Sequence, residues 1–149
     1  MTEPTAPHRI GVVASRTGVS TRTLRYYEEL GLIGPTGKSP GGNRRYSDAD
    51  VACIERVLEL RNVMGFDLER IAAIVQAENR LEVLRGEYER GVSGARHAEI
   101  IREATAINDQ LRAHVADKIS TLEAFAHDLD TRADRLVALA GLVTKPEVS

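Results

Sequence analysis

Between Ala95 and Ala140 the chain places apolar or small residues at Ile100, Ala104, Ile107, Leu111, Val115, Ile119, Leu122, Ala126, Leu129, Ala133, Leu136 and Ala140. The steps are three or four residues throughout. That is the period of one helix face, with a stutter between Ile107 and Leu122. No proline interrupts the sequence from Ala95 until Pro146. At about 1.5 Å per residue such a helix is roughly 60 Å long. What remains of a 149-residue chain cannot cover a stripe of that length. The spacing therefore predicts a dimerisation helix over 97–140. Its seam of Ile100, Ile107, Leu111, Val115, Ile119, Leu122, Leu129 and Leu136 would meet a second copy of the chain.

Charge divides the remainder. The net charge is −2, yet 8–47 carries seven Lys or Arg against two acids. From Asn79 onward there are ten basic residues and twelve acidic ones. A basic segment in a mildly acidic chain points to a head that binds a polyanion. Cys53 is the only cysteine, which excludes an internal disulfide and a multi-cysteine metal site, and fits a reducing cytosol. No apolar run approaches the length of a membrane span, and the N-terminus has no apolar core of a signal peptide.

Residues 1–8 read as a flexible tail, and 9–78 as the head. A short helix is predicted over Ile10–Arg16, ended by Gly18. Ser20 is an N-cap and Gly31 a stop, giving a second helix over 20–30 and a helix-turn-helix. A small hairpin follows, with extended pieces at Leu32–Ile33 and Arg44–Tyr46. Ser47 and Asp50 form a capping-box start, with Val51, Ile54, Val57 and Leu58 inward. Asp67 caps a further helix with Leu68, Ile71, Ala72 and Val75 inward. Residues 79–96 read as a linker holding at most a short helix, because Gly86, Gly91 and Gly94 punctuate it. Residues 141–149 read as a C-terminal tail.

On a helix over 20–30, Arg22, Arg25, Tyr26 and Glu29 share one face, and Leu24, Tyr27 and Leu30 the opposite one. Arginine forks suit phosphates and guanine edges, and a tyrosine hydroxyl suits phosphate. Thr21 and Thr23 add hydroxyls near the helix start, where backbone N–H groups favour a phosphate. Glu29, one turn from Arg25, is placed to hold it. Strand alternation sends Arg44 and Tyr46 to one side and Arg45 to the other. One arginine would reach phosphate while the other braces Glu28 or the preceding helix. A groove-reading helix with a basic wing beside it is a DNA-reading arrangement. The candidate DNA-binding set is Arg16, Thr21, Arg22, Thr23, Arg25, Tyr26, Lys38, Asn43, Arg44, Arg45, Tyr46 and Arg61.

These residues also carry a resemblance. "RIGVVASRTGVSTRTLRYYEELGLIGP" followed by "GGNRRYSDADVACIERVLELRNVMGFDLERIAAIV" resembles the DNA-binding domain of the MerR family of bacterial transcription regulators, over about 9–76. The resemblance implies a mainly α fold, with a winged helix-turn-helix head followed by a long antiparallel coiled-coil dimerisation helix. It implies a cytoplasmic homodimer on a palindromic operator in a promoter spacer. An effector would make that dimer bend and untwist the DNA for RNA polymerase. Two wing positions depart from the pattern: Gly37 stands where many relatives carry arginine, leaving Lys38 alone, and Asn43 replaces a common aromatic. Metal- and redox-sensing relatives carry cysteines near the end of the long helix, and here none follows Cys53. About ten residues past Ala140 are too few for an appended ligand-binding domain.

Other chemistries fit less well. Cys53 beside Ile54 reads as a small packed thiol. His97, His114 and His127, with Asp128 and Asp130, raise a zinc site, but His114 and His127 lie thirteen residues apart, far beyond i, i+4 spacing. No catalytic constellation or cofactor motif is present, so no enzyme and no cofactor are expected. Leu136, Leu139, Leu142 and Val143 of one copy are expected to pack near Leu81, Leu84 and Tyr88 of the other, either as a simple structural clasp or as an apolar pocket for a small apolar effector. The alternative is an architectural or excisionase-like DNA-binding accessory protein without an effector; the long dimerising helix favours the regulator.

Overall fold

Ser20 fixes the frame of the head. In the computed structural model, which describes residues 6–35, 37–38 and 42–144, its hydroxyl accepts a hydrogen bond from the Thr23 N–H at 3.0 Å. That bond starts α2 (Thr21–Glu29) behind α1 (Ile10–Thr17). Gly31 ends α2 at φ +74°, a left-handed conformation that costs a Cβ-bearing residue energy. Its N–H then reaches the Glu28 carbonyl, and the Leu32 N–H reaches that of Tyr27, each at 3.0 Å. This is a Schellman closure, and it turns Leu32 and Ile33 into the core. They were expected as a strand. They are buried coil instead, because the closure consumes the Leu32 amide.

The sheet has three short strands in the order β1–β3–β2: β1 (His8–Arg9), β2 (Gly37–Lys38) and β3 (Arg44–Tyr46). β3 is central and antiparallel to both neighbours; His8 pairs with Tyr46, Arg9 with Arg45, Gly37 with Arg45 and Lys38 with Arg44. The N-terminal strand straddles the expected boundary between a loose tail ending at residue 8 and the head beginning at residue 9. Two residues are too few to show alternation, so only pairing reveals them.

Ser47 begins α3 (Asp48–Asn62) with a complete capping box, exchanging hydrogen bonds with Asp50 at 2.9 and 3.1 Å. α3 buries Val51, Ile54, Val57 and Leu60; Leu60 takes the inward place expected of Leu58. Gly65, at φ +73°, lets the chain turn so that the Phe66 N–H meets the Leu60 carbonyl at 3.0 Å. Asp67 caps α4 (Leu68–Glu89) through the Arg70 N–H at 2.8 Å. Ile71, Ile74, Val75 and Leu84 point inward. α4 runs through Gly86 to Glu89, so helix occupies much of 79–96. The interruption is confined to the segment around Gly91 and Gly94, both at positive φ.

α5 (Ala95–Thr144) is one helix of 50 residues. The chain divides into two units, Met1–Ala104 and Thr105–Ser149. In the first, the buried residues include Val13, Leu24, Tyr27, Tyr46 and Ile54 of the head, Ile71, Ile74 and Leu84 of α4, and Ile100 at the start of α5. Each such side chain contributes about 1.5–3 kcal/mol on burial. Ion pairs fasten α4 to the start of α5: Arg80 with Glu103 and Arg96 with Glu87, each at 2.6 Å. Ile100 was expected in the intermolecular seam. It is instead buried in its own chain, because α4 folds beside this part of α5.

In the second unit, Val115, Ile119, Leu122, Leu129 and Leu136 are all exposed. Ile107 and Leu111 are half-buried. A shallow apolar groove of about 570 Å³ runs past Leu111, Val115 and Ile119 on the helix surface.

Candidate nucleic-acid interface

The amphipathic split of α2 decides which side chains remain available. Leu24 and Tyr27 are buried, so Arg22, Arg25 and Tyr26 stand on the free face. Tyr26 is 48 % exposed and its ring is tilted against that of Tyr27, with centroids 6.3 Å apart. Leu30, expected inward, is largely exposed, because the helix has already reached its cap. Thr21 and Thr23 are half-buried. The Thr23 hydroxyl lies 2.9 Å from that of Ser20, so it belongs to the cap as well as to the helix start.

Beside α2 a cleft of about 640 Å³ opens between helix and wing. Arg25 lines it from α2, Gly42, Asn43, Arg44 and Arg45 from the wing, and Arg9 to Val12 from the β1–α1 junction. Arg44 pairs with Glu28 of α2, which locks the wing to that helix. Arg45 points to the other side of β3, as alternation requires. Arg9, Arg16, Arg22, Arg25 and Arg45 make no ion pair among the described residues. Several arginines of α3, α4 and α5 are paired instead. Arg56 is paired with Glu59 and Glu78, Arg80 with Glu103, Arg85 with Glu82 and Glu89, and Arg96 with Glu87 and Glu99. Among the described residues, Arg44 alone of the arginines lining the cleft is ion-paired, while Arg9, Arg25 and Arg45 are not.

Three expected site residues, Tyr46, Arg61 and Arg16, lie outside the cleft. Tyr46 is fully buried, and its hydroxyl has no hydrogen-bond partner among the described residues. Burial, reinforced by the Glu28 carboxylate, pushes its phenol above the usual range, so the group is neutral and out of reach of DNA. Arg44 and Tyr46 share the inner face, where Tyr46 is buried and Arg44 is half-buried against Glu28. Arg61 donates a hydrogen bond to the Tyr27 hydroxyl and lies 5.9 Å from that ring's centroid, bracing the back of α2 rather than lining the cleft. Arg16 is exposed on the last turn of α1, also outside the lining. Lys38 holds its backbone place opposite Arg44, while its side chain lies outside the described residues. Glu29 forms no ion pair with Arg25 among the described residues.

Arg9 was not among the expected contacts. Its membership in the basic segment was visible, but its place depends on a strand that only the fold reveals. Cys53 is half-buried and its thiol points to the Leu32 carbonyl at 3.7 Å. Burial first, then the charges of Asp50 and Glu78, raise its pKa, so it lacks the depressed value of a reactive thiol.

The matches with known proteins converge on one family. The model of the MerR HTH family of regulatory proteins matches residues 8–78. Over 122 residues the chain is 32% identical to the HTH-type transcriptional regulator YfmP of Bacillus subtilis (strain 168), covering 81% of this chain and 86% of that one. The chain belongs to the MerR family. It is 34% identical over 108 residues to the HTH-type transcriptional activator TipA of Streptomyces coelicolor, spanning 71% of this chain but only 42% of TipA. Its fold matches a MerR family transcriptional regulator from Listeria monocytogenes, with TM-score 0.57 and 19% identity over 91% of this chain and 93% of that one. It also matches HiNmlR, a MerR family regulator lacking the sensor domain that was crystallised on promoter DNA. That match has TM-score 0.52 and 21% identity, over 91% and 94% of the two chains. As a MerR-family helix-turn-helix protein, the chain is a DNA-binding transcriptional regulator. No helix among its described residues is long and apolar enough to cross a membrane.

Proposed function

We propose that this MerR-family chain acts as a homodimer on a palindromic operator within a promoter spacer. There it bends and untwists the duplex so that RNA polymerase can use the promoter. The carrying observation is the cleft between α2 and the wing, lined by the exposed Arg25 and the half-buried Arg45, neither with a carboxylate partner among the described residues. Such charge is costly to gather and is relieved by phosphate. Arg22, Arg25 and Tyr26 supply the groove-facing surface, and Arg45 with Asn43 the wing contacts. The row of exposed apolar residues from Val115 to Leu136 supports a coiled coil with a second copy.

The signal to which the dimer responds is not a cysteine-bound metal, since one half-buried thiol with a raised pKa per chain makes a poor ligand set. A small apolar effector remains the proposal, held by Leu136, Leu139, Leu142 and Val143, all exposed in one chain. Its other wall cannot include Leu84, which is buried in its own chain. Tyr88 is half-exposed beside the His97 ring, with centroids 5.2 Å apart, and remains available.

The test is sedimentation velocity of the full-length chain with a duplex carrying a dyad site. One dimer per duplex is expected. A monomer bound to a single half-site would remove the dimer from this reading.

A further inference from the structure

Arg9 stands in two electrostatically unfavourable places at once. It is directly opposite Arg45 in the antiparallel β1–β3 ladder, and opposed like charges destabilise a strand pair. It is also the N-cap of α1, where it makes no side-chain cap, and the helix dipole disfavours a cation there. No acid occupies the first turn of α1 to offset it, and neither Arg9 nor Arg45 has an ion-pair partner among the described residues. Both line the same cleft, together with Arg25. The strand that carries Arg9 is fixed: His8 meets Asp48 of α3 at 2.6 Å, so Arg9 cannot easily swing away from Arg45. Gly11 leaves the adjoining surface open, since a Cβ there would meet nothing within 4 Å.

We propose that Arg9 and Arg45 form a phosphate clamp across the β1–β3 ladder, taking a backbone phosphodiester of the bound DNA between them. This rests on the DNA-binding reading and adds the N-terminal strand to it. A phosphate between the two guanidiniums converts their repulsion into two charge-assisted contacts. It also places an anion at the open start of α1, where unpaired N–H groups favour it. The contact is to backbone and carries no base information, so it sets register and affinity rather than sequence choice. It would also compensate for Gly37, which offers no side chain on the other flank of β3.

The experiment compares the full-length wild type with Arg9→Thr and Arg9→Lys. Affinity for an operator duplex and a random duplex is measured by fluorescence anisotropy from low to high salt, and thermal melting is measured without DNA. Arg9→Thr is expected to weaken both duplexes by the same factor. It should flatten the log–log salt slope by about 0.9 per lost contact, hence about 1.8 for a dimer. It should melt no lower than wild type, because a repulsion has been removed and threonine is a better N-cap for α1. Arg9→Lys should keep the slope. An unchanged affinity and slope for Arg9→Thr, while Arg25→Ala or Arg45→Ala loses binding, would overturn the clamp and leave DNA binding intact. Failure of the wild type to bind any duplex would instead overturn the reading on which the clamp depends. Loss of slope in Arg9→Lys, or a lower melting temperature for Arg9→Thr, would contradict the charge argument. A calorimetric titration with inorganic phosphate at fixed ionic strength separates the two phosphate sources. Saturable binding lost in Arg9→Thr, with DNA affinity unchanged, would assign the clamp to a free phosphate and overturn the DNA assignment.

Discussion

Arg44 and Tyr46 are two residues apart on one short strand, yet one ties the wing to α2 and the other is sealed in the core. The buried Tyr46 hydroxyl finds no acceptor among the described residues, so its burial costs about 1–3 kcal/mol of desolvation. Tyr46→Phe is therefore expected to leave DNA affinity unchanged and to hold or raise the melting temperature. A loss of affinity with an intact fold would restore Tyr46 to the interface. Arg25 and Arg45 should behave unlike each other. Arg25→Ala removes a candidate base contact and should cost about 1–3 kcal/mol on operator DNA, narrowing the gap between operator and random sequence. Arg45→Ala should weaken both alike and lower the salt slope by about one per site. Equal losses on both duplexes for both variants, read by anisotropy, would remove base readout from Arg25.

Most helices of the head were legible in the sequence because each begins and ends on a chemical signal. Ser20, Ser47 and Asp67 accept the expected cap bonds, and Gly18, Gly31 and Gly65 sit at positive φ. What escaped was decided by pairing between distant segments. β1 exists only because His8 and Arg9 meet β3, and Leu32–Ile33 lose their strand to a helix cap. Glycine was over-read at Gly86, where the buried Leu84 and the flanking ion pairs outweigh a propensity cost of about 1 kcal/mol. Those ion pairs give α4 and α5 a pH dependence with a definite sign. Hydrogen bonds from Arg96 and Arg80 hold the Glu87 and Glu103 carboxyls below the usual range. Their contribution is therefore complete above the ordinary carboxylate pKa of about 4.3 and is lost as pH falls through the depressed folded values. Arg96→Ala should lower urea resistance at neutral pH but match wild type once its partner carboxyls, Glu87 and Glu99, are protonated. An equal deficit at all pH values would show that Arg96 acts through packing instead.

The whole molecule joins an arginine-lined reading surface to a helix whose apolar stripe has no cover within its own unit. Leu122→Asp combined with Leu129→Asp places two charges in the proposed seam. Each lost leucine contact contributes about 2–3 kcal/mol, with the desolvation of charge added. The variant is expected to sediment as a monomer that keeps the helicity of the head but binds operator weakly, because two half-sites are no longer linked. An unchanged dimer would mean that the exposed row is not the seam. The account as a whole joins sequence reading by α2 to two-fold symmetry imposed by α5. Nuclease footprinting of the full-length protein on promoter fragments selected by its own binding tests both at once. The predicted result is a single protected dyad lying between the −35 and −10 elements, with hypersensitive cleavage at its centre where the duplex is bent. Protection without a dyad, or uniform protection regardless of sequence, would contradict the account.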